Sequence, residues 1–372
     1  MNDYHALRSV PLAGGSLMVK GGVRGFPDPQ YDLLARRLEP FGTHALDLNP
    51  GAGVVTLALV RHGLSVGALE TSRAAQRCLE ASFANRVHLE MEPPWQTRPD
   101  CADLVAMVLP ANRGTRYVEA SLWGASNALR TGGRLWISGA KDKGFEGYFK
   151  AAQELLGFGT LVAKDGPYRL AVLEKEKPTP PAPELWVHYT TEVDGRPYTF
   201  HSLPGVFSGT HLDPGTRMLL EHLPDRMGQV LELGAGGGAL ALPLMHKCQG
   251  LTLLEDDLVS VLSLERSISS ALPSLPSSLT PPTVIHSDVD FDLTKNARFN
   301  TIVSNPPFHV GGLVVLDTAR AFLHAAQTRL ERGGEFYLVA NRFLPYEPLL
   351  EQGFTQVRTL AVNSHKVLCA VK

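Results

Sequence analysis

Leu231-Glu-Leu-Gly-Ala-Gly-Gly-Gly238 continues Gln229–Leu233, a short apolar run that reads as a buried strand stopping at glycines. Glycines after a strand let the backbone approach a ligand closely. Gly234, Gly236 and Gly238 have the spacing of a nucleotide loop, a pattern that is weak when it stands alone. Here it does not stand alone, because Ala45-Leu-Asp-Leu-Asn-Pro-Gly-Ala-Gly53 matches Val230-Leu-Glu-Leu-Gly-Ala-Gly-Gly-Gly238 at an offset of 185.

The same offset pairs Glu70 with Glu255, each at the end of an apolar run. Asp103-Leu-Val-Ala-Met107 then matches Asn300-Thr-Ile-Val-Ser304, Gly132-Gly133 matches Gly333-Gly334, and Gly157-Phe158 matches Gly353-Phe354. Both halves close on similar apolar stretches, Arg169–Leu173 and Lys366–Ala370. Markers in one order point to one fold, duplicated. Between the copies runs Lys175-Glu-Lys-Pro-Thr-Pro-Pro-Ala-Pro-Glu184, whose prolines can continue neither a helix nor a central strand. The expected division is therefore residues 1–175, a Pro-rich linker 176–184, and residues 185–372. Within each half short apolar runs alternate with helical patterns, as at Ala239–Met245 between Gln229–Leu233 and Leu251–Leu254. That alternation predicts an α/β fold with a mostly parallel sheet covered on both faces. Ligands of such sheets sit at the carboxyl ends of the strands.

The 372 residues are 44% hydrophobic and 19% charged, which excludes a disordered chain. No apolar run reaches the roughly 18 residues of a membrane span, and the N-terminus lacks the apolar core of a secretory signal. Cys78, Cys101, Cys248 and Cys369 are scattered without a CxxC pair. They read as reduced thiols of a cytoplasmic protein. The net charge of −2 excludes coating of nucleic acid by bulk charge. Residues 1–175 carry +3 and the remainder −5. The 13 histidines show no HxxxH or HxH spacing, so no metal is expected.

Two acids flank the second glycine loop. Glu232 precedes it, which suits a ligand with a cationic amine. Glu255 ends the next strand about 20 residues on, where it can accept both ribose hydroxyls of a nucleoside. After the apolar strand Thr301–Ser304 comes Ser304-Asn-Pro-Pro-Phe-His309. Pro306 and Pro307 fix the backbone and remove two N–H donors. What remains is the Asn305 amide oxygen and nearby carbonyls, an acceptor set for a planar NH2 group. Phe308 offers a face on which a base can stack.

This Asn-Pro-Pro-Phe motif resembles that of class I S-adenosylmethionine-dependent methyltransferases that modify exocyclic amines: adenine N6, guanine N2 or the glutamine amide. More narrowly, the second half is similar to the RsmC-type ribosomal RNA guanine-N2 methyltransferases. The matching stretches are Leu203–Ser208 with Leu212-Asp213, the glycine loop, Asn305–His309 and Ala340-Asn-Arg-Phe-Leu-Pro-Tyr346. That family carries a degenerate methyltransferase domain ahead of the catalytic one, so the resemblance spans the whole architecture. It implies two tandem Rossmann-like domains with mostly parallel, seven-stranded sheets. It also implies methyl transfer from S-adenosylmethionine to the N2 amine of a guanine in 16S ribosomal RNA. Gly234, Gly236 and Gly238 would cradle the methionine part and ribose, Glu255 the ribose hydroxyls, and Asp288 the adenine amino group. Phe207 and Asp213 would help close the cofactor pocket. Asn305 would accept from the target amine and Phe308 stack on its base. His309 would contact RNA or cap the following turn. Transfer would be a direct displacement without a covalent enzyme intermediate. The alternatives are a guanine of 23S ribosomal RNA, adenine N6, a protein glutamine, or a non-catalytic RNA-binding assembly factor.

The first half departs from this pattern. Asn49 stands in place of the first loop glycine, Pro50 removes an N–H, and Val108 occupies the position of Asn305. It is expected to be catalytically dead. Its positive balance offers an RNA-gripping role, with Lys20, Arg24, Arg36, Arg37, Arg113 and Arg116 as candidate contacts. Asp47 and Glu70 leave nucleoside binding there open. The partner expected is the small ribosomal subunit or its precursor, and the internal duplication suits a pseudo-dimeric monomer.

Overall fold

A computed structural model describes residues 4–274, 276, 279–307 and 313–372. The chain forms two compact units. One is His5–Leu185; the other is Trp186–Lys372 together with the first residues, of which Tyr4 is described.

The first unit opens with an antiparallel hairpin, β1 (Arg8–Leu12) and β2 (Gly15–Val19), followed by α1 (Pro29–Arg37). Then come β3 (His44–Leu48), α2 (Val54–Arg61), β4 (Ser65–Glu70), α3 (Arg73–Phe83), β5 (His88–Met91), β6 (Ala102–Val108), α4 (Thr115–Ala128), β7 (Leu129–Ala140), α5 (Phe145–Leu156), β8 (Gly159–Asp165) and β9 (Tyr168–Glu174). Its seven-stranded sheet has the order β5-β4-β3-β6-β7-β9-β8. The first five strands of that order are parallel, while β9 and β8 run antiparallel to their neighbours.

The second unit repeats this element for element. A hairpin, β10 (Val187–Val193) and β11 (Arg196–Ser202), precedes α6 (Pro214–Leu220). After it come β12 (Met227–Leu233), α7 (Ala241–Leu244), β13 (Cys248–Glu255), α8 (Leu258–Ala271), β14 (Thr283–His286) and β15 (Phe299–Ser304). The unit ends with α9 (Leu313–Arg329), β16 (Leu330–Asn341), α10 (Glu347–Glu351), β17 (Gln356–Val362) and β18 (His365–Val371). Its sheet order is β14-β13-β12-β15-β16-β18-β17, the same pattern. The fold is α/β, two tandem Rossmann-like units with mostly parallel seven-stranded sheets, as the sequence implies.

The central strand β12 shows why these residues make this fold. Val230 packs into the core on one face, while Leu231 and Leu233 pack into the core on the other. All three are fully buried, as a parallel strand covered on both faces requires. Alternation then puts Glu232 on the face of Val230. Helix starts repeat across the copies as well. Asp28 and Asp213, also 185 apart, cap α1 and α6 through the amides of Gln30 (2.9 Å) and Thr216 (2.8 Å), with Pro29 and Pro214 in the first turn. The Pro-rich segment lies along the first unit. Pro180 O accepts from Trp123 Nε1 at 2.9 Å, and Thr179 Oγ1 donates to Ser126 O at 3.0 Å.

The second hairpin is tied to its unit by helix side chains in place of a third strand. Ser267 Oγ accepts the His201 amide at 2.9 Å and Ser263 Oγ accepts the Leu203 amide at 3.1 Å. Replacing both serines by alanine strands two backbone donors against a buried helix face. At roughly 1–3 kcal/mol per stranded donor, the double variant is expected to lose about 2–6 kcal/mol. Urea unfolding followed by Trp186 fluorescence measures this, and an unchanged midpoint would refute the tether.

Candidate cofactor and amine site

The site of the second unit is built on the carboxyl ends of β12, β13 and β15. After Leu233 the chain turns through Gly234 (φ 72°), Gly236 (φ 53°) and Gly238 (φ 95°). The Gly234 and Ala235 amides both donate to Leu254 O, at 2.9 and 3.0 Å. The Glu255 carboxylate holds the loop: Oε2 accepts the Gly236 amide at 2.8 Å and Oε1 the Asp257 amide at 2.9 Å. A methyl added at Gly238 would lie 2.8 Å from the Leu264 side chain, whereas one at Gly236 would meet nothing within 4 Å. Gly238 is therefore required for packing, and Gly236 borders open space where a ligand can approach. Burial, with Asp257 and Asp256 adding to it, pushes Glu255 up to about 7 against the opposing amide hydrogen bonds.

Glu232 is 1% exposed, and its Oε2 has no hydrogen-bond partner. Burial first, and Glu255 second, hold its carboxyl well above the usual range. An orphaned acid in the interior needs a cationic donor, so the residues present fit the ammonium group of a methionine-type ligand.

Asn305 leaves β15 one residue past Ser304, whose hydroxyl donates to Leu233 O at 2.8 Å. The Asn305 amide nitrogen donates to Thr216 Oγ1 at 2.8 Å and to Asp213 Oδ2 at 3.2 Å. With both N–H bonds committed, its carbonyl oxygen is the acceptor left to face a substrate. Asp213 both caps α6 and clamps Asn305. Thr216, absent from the sequence reading, is the second clamp; its only sequence signal is its place three residues after the capping Asp213. Pro306 is buried and Pro307 exposed. Phe308 and His309 lie outside the described residues.

Asp288 is 1% exposed at the turn after β14, where the next residue, Val289, adopts φ 54°. Tyr4 packs against the same core, bonds the Thr318 side chain, and stands near enough to Asp288 and Asp256 for their charge to raise its hydroxyl pKa, after burial. No sequence motif marked it. Phe207 is 63% exposed, beside Val206, which packs at Gly237. Two cavities lie elsewhere. One of about 250 Å3 opens at the amino ends of β3, β4 and β6, and one of about 420 Å3 lies beside the second hairpin. Neither gathers the acids and the amide acceptor, so the chemistry locates the site better than volume does. Among the described residues no cluster could hold a metal ion, and no helix is long and apolar enough to cross a membrane.

The first unit keeps the frame and fills it. Gly51 donates to Glu70 Oε2 at 2.9 Å, repeating the Gly236–Glu255 bond. Here Arg24 also reaches Glu70 Oε1 at 2.8 Å, and Tyr31 donates to Asn49 O at 3.0 Å. Asp47, the counterpart of Glu232, accepts from Thr56 at 2.6 Å; Ala241 stands at that position in the second unit. Of the residues expected to grip RNA, Lys20 is 4% exposed, and Arg24, its side chain 30% exposed, is paired with a fully buried carboxylate. Arg113 lies over the Tyr117 ring and donates to Thr71 Oγ1. Arg36, Arg37 and Arg116 are exposed.

A family model described as "Methyltransferase small domain" matches residues 197–369. The ribosomal RNA small subunit methyltransferase C of Stutzerimonas stutzeri is 30% identical, with 90% of this chain and 96% of that protein aligned. Its namesake in Acinetobacter baumannii is 34% identical over 61% of this chain and 67% of that protein. A solved structure, described as the T. thermophilus 16S rRNA N2 G1207 methyltransferase (RsmC) in complex with AdoMet and guanosine, is 50% identical. It covers 99% of this chain and 98% of its own, with a TM-score of 0.92.

Two outcomes follow from the acids. The folded state holds the Glu232 and Glu255 protons more tightly than the unfolded one. Without ligand, stability therefore falls as pH rises from the ordinary carboxyl range to about 7. A bound cation favours the ionised acids, so binding releases protons. Affinity for S-adenosylmethionine should weaken about three- to tenfold between pH 7 and 6, and calorimetry in buffers of different ionisation enthalpy should show the release. A pH-independent affinity in this range would exclude the assignment. In the first unit, Arg24→Ala should cost about 2 kcal/mol, at the low end for a broken buried pair because Glu70 keeps its amide donors. Thermal denaturation checks it, and a neutral effect would mean the pair does not hold the loop.

Proposed function

The chain belongs to the ribosomal RNA small subunit methyltransferase C family, and on that premise we infer that it transfers a methyl group from S-adenosylmethionine to the exocyclic N2 amine of a guanine in 16S ribosomal RNA. The observation that carries the reading is Asn305. Its nitrogen is spent on Thr216 and Asp213, so it presents an acceptor, and an acceptor selects an NH2 group.

S-adenosylmethionine supplies an electrophilic methyl on a sulfonium sulfur. Glu232 holds the ammonium end of the ligand, Glu255 the ribose hydroxyls, and Asp288 the adenine edge, with the Gly234–Gly238 loop against its backbone-like part. An exocyclic amine is a poor nucleophile because its lone pair is delocalised into the ring. Hydrogen bonds from that amine to Asn305 Oδ1 and to the Pro306 carbonyl favour a pyramidal nitrogen and turn its lone pair toward the methyl. The nitrogen–carbon bond forms as the sulfur–carbon bond breaks, and the displaced proton leaves to solvent. Most of the rate then comes from positioning and electrostatics. Phe308, by its place after the proline pair, is the stacking face for the target base. A target inside stacked RNA must be turned out to reach this pocket. The guanine matching the position named for the T. thermophilus neighbour, presented in the small subunit or its precursor, is the proposed substrate.

The test uses unmodified small subunits, labelled S-adenosylmethionine and nucleoside mass spectrometry. N2-methylguanosine should form with wild-type protein. Asn305→Ala should slow it by about 100-fold or more with cofactor affinity unchanged. Thr216→Val should lower kcat about tenfold through loss of positioning, and Thr216→Ser should restore it. N6-methyladenosine, methylglutamine or no product would overturn the assignment.

A further inference from the structure

The exposed large apolar side chains of the second unit are not scattered. Among the described residues they are Phe207, Phe291, Phe343 and Val362. Phe207 lies in the loop beside the glycine turn, Phe291 after the carboxyl end of β14, Phe343 after that of β16, and Val362 at the end of β17 nearest it. All four stand on the sheet edge that carries Glu255 and Asn305. Core residues have no reason to gather there, and a protein surface that must hold unpaired bases does.

Phe343 is the most exposed of them, at 76%. It is held out by a built turn. Asn341 Oδ1 accepts the Phe343 amide at 3.2 Å, and Asn341 O accepts the Leu344 amide at 3.0 Å. Leu344 and Tyr346 on the far side pack into the core. The Arg342 guanidinium lies 4.6 Å from the Phe343 ring centroid, so a cation and an aromatic face are presented together. The turn also adjoins the amine site. Asn341 pairs with His365 across β16 and β18, and a methyl placed on Gly215 would meet His365 at 3.1 Å and Asp213 at 3.0 Å. Asp213 is the residue that clamps Asn305.

Resting on the reading above, we propose that Arg342 and Phe343 form a platform on which a nucleotide flanking the target guanine stacks, with Arg342 bound to the adjoining phosphate. The platform holds the strand after the target base has been turned out of its stack. It acts on a polynucleotide and not on a lone nucleoside.

The experiment measures the dissociation constant of extracted, unmodified 16S ribosomal RNA, of intact small subunits, of guanosine and of S-adenosylmethionine for wild type, Phe343→Ala, Phe343→Trp and Phe343→Leu. Phe343→Ala should weaken RNA binding about tenfold, the scale of one lost base–aromatic stack. Guanosine and S-adenosylmethionine should bind as before, Phe343→Trp should restore RNA binding, and Phe343→Leu should not. Arg342→Ala should reduce the slope of log affinity against log salt by about one. Unchanged RNA affinity in Phe343→Ala overturns the proposal, as does an equal loss for guanosine, which would put Phe343 in the target pocket. A loss confined to intact subunits, with Phe343→Leu still competent, would mean apolar docking on a ribosomal protein. These are binding readouts, so the proposal can fail while N2-methylguanosine still forms, and the methylation reading can fail while the stack remains measurable.

Discussion

A single hydrogen-bond arrangement, a glycine-loop amide donating to a carboxylate at the end of the adjacent strand, fixes the ligand edge of both units. Gly236 to Glu255 and Gly51 to Glu70 are the same bond made twice. It places the turn after the central strand against the end of its neighbour. The carboxylate is also the group best suited to a ribose. The bond that builds the loop therefore leaves a second function available, and the two copies treat that function differently.

The difference lies in what completes each buried acid. In the first unit Thr56 donates to Asp47 and Arg24 to Glu70, so both acids have side-chain donors from within the protein. In the second unit Ala241 replaces the hydroxyl and Glu232 keeps an oxygen with no partner. An unsatisfied buried acid destabilises a resting fold. It makes sense where a ligand arrives to complete it. The first copy supplies both of its acids with donors from within, while the second leaves one oxygen of Glu232 open. The same contrast appears at the carboxyl ends of β6 and β15, where the Val108 side chain offers no acceptor and Asn305 offers one, its amide nitrogen donating to Thr216 and Asp213.

What could be read in the chain beforehand was the part that repeats or lies close in sequence. The glycine loops, the acids 185 residues apart and the strand before Asn305-Pro-Pro307 are local patterns, and each took its expected place. The clamp was not legible, because Asp213 and Asn305 are 92 residues apart and meet only through the sheet. An aspartate before proline reads as a helix cap, which Asp213 is, and the pattern holds no trace of its other acceptor duty. The setting of Lys20 and Arg24 was hidden for a related reason: composition counts both as surface charge, while Lys20 is buried and Arg24 is paired with a fully buried Glu70. Phe343 stood in the sequence only as part of the matching stretch Ala340–Tyr346; its exposure goes with a turn that the Asn341 side chain and carbonyl both hold.

The allotment of Tyr4 to the second unit has a bearing on how the protein is made. Tyr4 rests against a core that includes Leu254, Val289 and Phe322, and its unit resumes only at Trp186. During synthesis the whole first unit emerges between these two pieces. At roughly 5–20 residues per second, Tyr4 is on the outside of the ribosome for ten seconds or longer before its resting place exists. The core around Asp288 and Thr318 is made well after the first unit, and it closes over a tyrosine translated long before it.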